Sequence, residues 1–86
     1  MKLDLIIRDK AFEDIMFWVN NDKKIVAKIF KLIEICKSTP FDGIGKPEAL
    51  KHEYSGCWSR RIDQEHRLVY KIEADCIIIL QCRYHY

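Results

Sequence analysis

No apolar stretch in the 86-residue sequence approaches the roughly 18 residues needed to span a bilayer. The longest run, Cys76-Ile77-Ile78-Ile79-Leu80, is of strand length. Metal-ligand spacing is missing too. The four cysteines stand at 36, 57, 76 and 82, without a Cys-x-x-Cys pair, and there is no His-x-x-x-His or paired-carboxylate motif. No metal or other cofactor is therefore expected, and the cysteines read as small buried hydrophobes in a reducing compartment. A secretory leader is not in evidence, because Asp4 interrupts the apolar stretch such a leader requires. These absences lead us to expect a cytoplasmic protein with no membrane association. No repeat or linker divides the chain, so a single domain over residues 1–86 is expected.

What is present suits one small core. Apolar residues make up 49% and charged residues 33%, which excludes a disordered or low-complexity segment. The net charge of +2 is unevenly spread: residues 1–22 carry net −2 and residues 23–86 net +4. A basic excess of that size fits a polyanionic partner and fits an ordinary solvated surface equally well.

Leu3, Leu5 and Ile7 alternate with Asp4, Ile6 and Arg8, the period of a strand with one face on a core. Asp9 offers an N-cap for a helix to about Asn20, with Phe12, Ile15, Met16 and Val19 as its core stripe. Asn20-Asn21-Asp22 breaks the pattern and caps a second helix, Lys23 to Ser38, burying Ile25, Ile29, Leu32, Ile33 and Cys36. Thr39-Pro40 ends it. After a loop come three β-rich stretches, Trp58–Ile62, His66–Ile72 and Cys76 to about Tyr84, joined by short polar turns. A short extra strand is expected around Ala49 to His52. On the last strand Cys76, Ile78, Leu80, Cys82 and Tyr84 are expected to face the helices, while the other face turns polar through Gln81, Arg83 and His85. The fold class is α+β: an N-terminal strand, a helical hairpin, then an antiparallel meander packed on the helices.

Polar side chains concentrate in the second half: Glu48, Lys51, His52, Arg60, Arg61, His66, Arg67, Arg83, His85 and Tyr86. Glutamate and histidine can divide base and acid roles, and arginine can stabilise a phosphate gaining negative charge. RNA supplies its own nucleophile, the 2′-hydroxyl, so a base, an arginine and an acid suffice. Each residue also has an ordinary role open to it. Glu48 could be a solvated loop carboxylate, Arg67 a cross-strand partner, and Lys24, Lys28 and Lys31 a solvated helix face. Residue types alone favour a non-catalytic binding domain over a ribonuclease.

Longer segments shift that balance. Lys46-Pro47-Glu48-Ala49-Leu50-Lys51-His52, Ser55-Gly56-Cys57-Trp58-Ser59-Arg60-Arg61-Ile62, Glu65-His66-Arg67-Leu68-Val69-Tyr70 and the ending Cys82-Arg83-Tyr84-His85-Tyr86 closely resemble the YoeB (Txe) toxins of the RelE/ParE superfamily. The resemblance implies a RelE-like α+β fold and the toxin of a type II toxin–antitoxin pair, a ribosome-dependent endoribonuclease cleaving messenger RNA in the A site. It implies Glu48 as general base, Arg67 as the group stabilising phosphate charge, His85 as general acid and Tyr86 as an aid to substrate placement. Lys51, Arg61 and Arg83 fall in matching motifs and are expected to contact RNA; Lys24, Lys28 and Lys31 are expected to meet ribosomal RNA. The implied partners are the ribosome with its message and a cognate, YefM-like antitoxin, and a homodimer stays open. A ParE-like inhibitor of DNA gyrase and a non-catalytic RNA-binding domain are the competing readings. Ala49 stands where the family often has proline and Cys57 where it often has an aromatic; neither is a catalytic position. Whether Arg61 and Arg67 share a face depends on a strand register that the sequence does not set.

Overall fold

In the computed structural model, residues 2–84 are described. Strand β1, Asp4–Ile7, leads directly into helix α1, Asp9–Asn21. Arg8, not Asp9, occupies the N-cap position; Asp9 is the first helical residue, where its negative charge complements the helix dipole. Asp22 then ends one helix and starts the next. Its backbone N–H donates to the Trp18 carbonyl, and its carboxylate accepts from the Lys24 N–H at 3.1 Å. Helix α2 runs Lys23–Ser38 and stops where Thr39 bonds back to the Ile35 carbonyl, just before Pro40.

The rest is sheet: β2 Glu48–Ala49, a 3₁₀ turn His52–Tyr54, β3 Trp58–Arg61, β4 Arg67–Glu73 and β5 Cys76–Gln81. Their order is β1-β5-β4-β3-β2, antiparallel except that β1 lies parallel to β5. The expected extra strand is shorter and starts one residue earlier, because His52 enters the 3₁₀ turn instead. The last strand also stops early, at Gln81 rather than near Tyr84.

Both helices cover one sheet face. Their core joins Ala11, Ile15, Trp18, Ile29, Leu32, Ile33 and Cys36 to Ile62, Leu68, Tyr70, Ile77, Ile79 and Cys82. The α2 stripe is buried as predicted at Ile29, Leu32, Ile33 and Cys36, with Ile25 half-buried at its start. The α1 stripe is not: only Ile15 of the four is buried, while Phe12, Met16 and Val19 are exposed. Helix α1 is turned instead to bury Ala11, Asp14, Ile15 and Trp18. Specific bonds to β5's extension fix that rotation. The Trp18 indole N–H donates to the Cys82 carbonyl at 2.9 Å, and Asp14 accepts from the Cys82 N–H at 3.0 Å. A hydrophobicity pattern does not register such bonds.

The face assignment of β5 is likewise corrected. Ile77 and Ile79 face the helices, whereas Ile78 does not belong to that core. Val69 pairs with Gln81 and Tyr70 with Ile79, so Leu80 is an extra residue, a bulge. It resets the alternation, bringing Cys82 to the helix side after Ile79. All four cysteines are free thiols; Cys36 and Cys82 are buried, Cys57 and Cys76 half-buried. Among the described residues no helix is long and apolar enough to cross a membrane.

Candidate active site

Alternation along β4 sends Leu68 and Tyr70 into the core beneath the helices, and therefore Arg67, Val69 and Lys71 to the opposite face. The register extends that face across four strands. Glu48 is paired with Ser59, Ser59 with Val69, and Val69 with Gln81. Directly paired residues project to the same side, so Glu48, Ser59, Val69 and Gln81 form one row. The next row is Arg61 opposite Arg67. The two arginines are thus direct cross-strand partners, with Cα atoms about 4.5–5.5 Å apart, one strand repeat (about 7 Å) from the Glu48 row.

Arg67 is held by the chemistry of the turn before it. The Asp63 carboxylate accepts from the N–H groups of Glu65 at 2.9 Å and His66 at 2.7 Å, shaping the β3–β4 turn. Burial alone would raise the Asp63 pKa, but those N–H donors outweigh it and hold the carboxyl below its ordinary value. Arg67 Nη1 donates to the carbonyls of Asp63 at 2.9 Å and His66 at 3.1 Å, so its guanidinium rests against that turn. No carboxylate pairs with Arg61 or Arg67 among the described residues. Like charges directly opposite in a sheet cost about 0.2–1 kcal/mol. A bound anion would relieve that repulsion.

Glu48 is exposed and reached through the loop 39–47, which a buried arginine secures. The Arg60 guanidinium donates to the carbonyls of Thr39, Asp42 (2.7 Å) and Ile44 (3.0 Å), and to the Tyr70 hydroxyl at 3.2 Å. Gly45 is needed there: its φ is +86°, and a Cβ would stand 3.2 Å from Arg60 Cβ. Among the described residues four non-glycines have positive φ: Lys46, His52, Ala74 and Tyr84. Lys46 and His52 bracket the Glu48 segment, and Tyr84 precedes the chain end, so three of the four adjoin predicted site positions. Residues 48–54 line a cleft of about 430 Å³ that contains Glu48 and Lys51.

The predicted site residues thus divide into groups. Glu48, Arg61 and Arg67 share one sheet face, with Lys51 on the segment that follows Glu48. Arg83 is drawn instead towards α1, its guanidinium 3.4 Å from the centre of the Phe17 ring and bonded to the Tyr84 hydroxyl at 2.7 Å. Lys24, Lys28 and Lys31 are exposed on α2, in the layer on the other side of the sheet. His85 and Tyr86 lie outside the described residues. Gln81, expected on the polar face of the last strand, stands in the Glu48 row, and so does Ser59, which sequence reasoning did not single out. The spacing of Ser59 and Arg61 at i and i+2 on one strand was the available signal.

Comparison with known proteins gives the family of the chain. Residues 7–86 match the family model described as YoeB-like toxin of bacterial type II toxin–antitoxin system. The chain belongs to that family. Toxin YoeB of Escherichia coli is 51% identical over 84 residues, covering 98% of this chain and all of the relative. The YoeB/ParE toxin from Agrobacterium tumefaciens superposes with a TM-score of 0.94 at 43% identity, over 98% of this chain and all of the other. Two Staphylococcus aureus structures, a YoeB dimer and a heterotetrameric YoeB–YefM toxin–antitoxin complex, superpose at 0.89 and 0.87, each 44% identical over the full length of both chains. This protein is accordingly a toxin of the YoeB/RelE type, with the α+β fold of that group.

Proposed function

We propose that this YoeB-like toxin is a ribosome-dependent endoribonuclease that cleaves messenger RNA in the A site without a metal, and thereby stops translation. The observation that supports this reading is the sheet register: two arginines that pair with no carboxylate among the described residues stand opposite each other on the face that carries Glu48. A phosphodiester is the anion such a pair suits, because guanidinium forks match phosphate oxygens.

The chemistry follows from the residue types. The Glu48 carboxylate takes the proton of a 2′-hydroxyl, and that oxygen attacks the adjacent phosphorus. Arg67, with Arg61 beside it, stabilises the charge gathering on the five-coordinate phosphate. The bond from phosphorus to the 5′-oxygen breaks, and His85 returns a proton to the leaving oxygen. Tyr86 helps place the substrate, Lys51 and Arg83 contact RNA near the site, and Lys24, Lys28 and Lys31 meet ribosomal RNA from the helix side. The ribosome orients the message, so a domain this small need not grip the whole substrate.

The protein works in the cytoplasm, and a YefM-like antitoxin silences it, as the staphylococcal complex suggests by analogy. A homodimer is consistent with the staphylococcal dimer. Primer extension on messages recovered from translating ribosomes tests the reading. Truncation within the A-site codon, lost with Glu48→Gln, is the expected result. Intact messages together with inhibited DNA gyrase would instead establish the ParE-like activity.

A further inference from the structure

Past Gln81 the β4–β5 ladder ends, yet the chain does not run free. Cys82 is held at both its backbone groups by Asp14 and Trp18 of α1. Two residues on, Tyr84 is held at both of its own. Its N–H donates to His66 Nδ1 at 2.7 Å, and its carbonyl accepts from the Arg67 N–H at 3.1 Å. Tyr84 has φ +66°, a left-handed conformation that a tyrosine keeps only where its surroundings over-determine it.

His66 is built for that contact. It is buried, 8% exposed, with its ring edge-on to Trp18 at 4.7 Å between centres. Its own N–H is tied to Asp63, so the residue is fixed in both backbone and ring. A ring nitrogen that accepts from an amide carries no proton; the imidazole proton therefore sits on Nε2, which lies 3.6 Å from Glu65 Oε1.

We infer that His66 is a positioning residue for the acid end of the site: by accepting from the Tyr84 N–H, its Nδ1 sets where the chain departs towards His85 and Tyr86. It acts without touching RNA. The clamp also joins the two halves of the site, since the Arg67 backbone N–H holds the carbonyl of the same residue, Tyr84. A misplacement of about 1 Å at a reacting group costs on the order of 10²-fold in rate, so a one-bond clamp is enough to matter. This inference rests on the ribonuclease reading above and deepens it.

Two substitutions separate positioning from packing. His66→Asn puts an amide oxygen near the place of Nδ1, whereas His66→Gln puts its amide near the place of Nε2. Both are measured by single-turnover cleavage on saturated ribosome complexes, by half-saturating concentration and by thermal unfolding. The expected result is cleavage near the wild-type rate for His66→Asn and a loss on the order of 10²-fold for His66→Gln. Half-saturating concentrations should match, and the two melting temperatures should be alike. Equal rates in the two variants, or losses that only track the folded fraction, would overturn the inference. Should both variants unfold, the long-range ¹⁵N–¹H spectrum of wild-type His66 decides: a bare Nδ1 supports the clamp and a protonated Nδ1 overturns it. Intact message with the wild-type protein would defeat the ribonuclease reading instead, while that spectrum still tests the clamp.

Discussion

Replacing Arg60 with methionine probes how the loop that delivers Glu48 is held. Two effects oppose one another. Arg60 is fully buried, and no carboxylate pairs with it among the described residues, so removing its charge relieves a desolvation cost of several kcal/mol. Against that stand four acceptors that lose their donor: the carbonyls of Thr39, Asp42 and Ile44 and the Tyr70 hydroxyl. Bonds to a charged donor contribute about 1.5–3 kcal/mol each. Thr39, Asp42 and Ile44 are exposed residues, so their carbonyls can regain water, but only if the loop lifts off the sheet. The loop contacts go with it, and the net expectation is a destabilisation of about 2–4 kcal/mol. For a domain this size that is on the order of 10–30 °C in Tm. Urea unfolding measures the stability, and amide exchange shows whether residues 39–47 open before the rest. Cleavage should fall further than the folded fraction does, because the segment bearing Glu48 is no longer anchored. A change below about 1 kcal/mol with unaltered exchange in that loop would refute the reasoning, since it lies below a single charge-assisted bond.

Other outcomes follow from the same geometry. Arg61→Gln removes one of two opposed like charges, so it should raise stability by a few tenths of a kcal/mol while lowering cleavage, read by urea midpoint and single-turnover rate. Changing Lys24, Lys28 and Lys31 together to Gln should weaken ribosome affinity and flatten its salt dependence, leaving the saturated cleavage rate intact; unchanged affinity and slope would return those lysines to a plain solvated face. Burial, with the Asp14 charge second, pushes the Cys82 thiol up to about 12, and burial pushes Tyr70 up to about 12 as well. Both stay protonated in the fold while the unfolded chain ionises near 9 and 10. Stability should therefore be full below pH 9 and fall by on the order of 2–3 kcal/mol by pH 10.5. A flat urea midpoint between pH 8 and 10.5 would show that these groups are not shielded.

How far the sequence carried the description depends on what each element rests on. Helix α2 was legible almost to the residue, because its stripe, its Asp22 cap and its Thr39-Pro40 stop all agree. Helix α1 was legible as a helix but not in its rotation, which Asp14 and Trp18 set through bonds to Cys82, a residue 64 positions from Trp18. The pairing of β1 with β5 likewise joins distant segments, and local pattern carries no record of it. The Leu80 bulge breaks the alternation, so Ile77 and Ile79 before it and Cys82 after it all face the helices, which a strict period of two assigns to opposite sides. For the site, motif resemblance singled out Glu48, Arg61 and Arg67, while only the register showed that they share a face. Arg60 and His66 drew notice as polar residues, but their backbone partners, Thr39, Asp42, Ile44 and Tyr84, lie far along the chain.

The central claim is that the toxin makes RNA attack itself, and the ends of the cleaved message report on it directly. Messages bearing a defined A-site codon are cut on ribosomes, and the fragments are analysed by mass. Attack by the 2′-hydroxyl predicts a 2′,3′-cyclic phosphate or its opened form upstream and a 5′-hydroxyl downstream. A single 2′-deoxy nucleotide at the cut position should then abolish cleavage. A 5′-phosphate on the downstream fragment, or undiminished cutting of the deoxy-substituted message, would contradict the account.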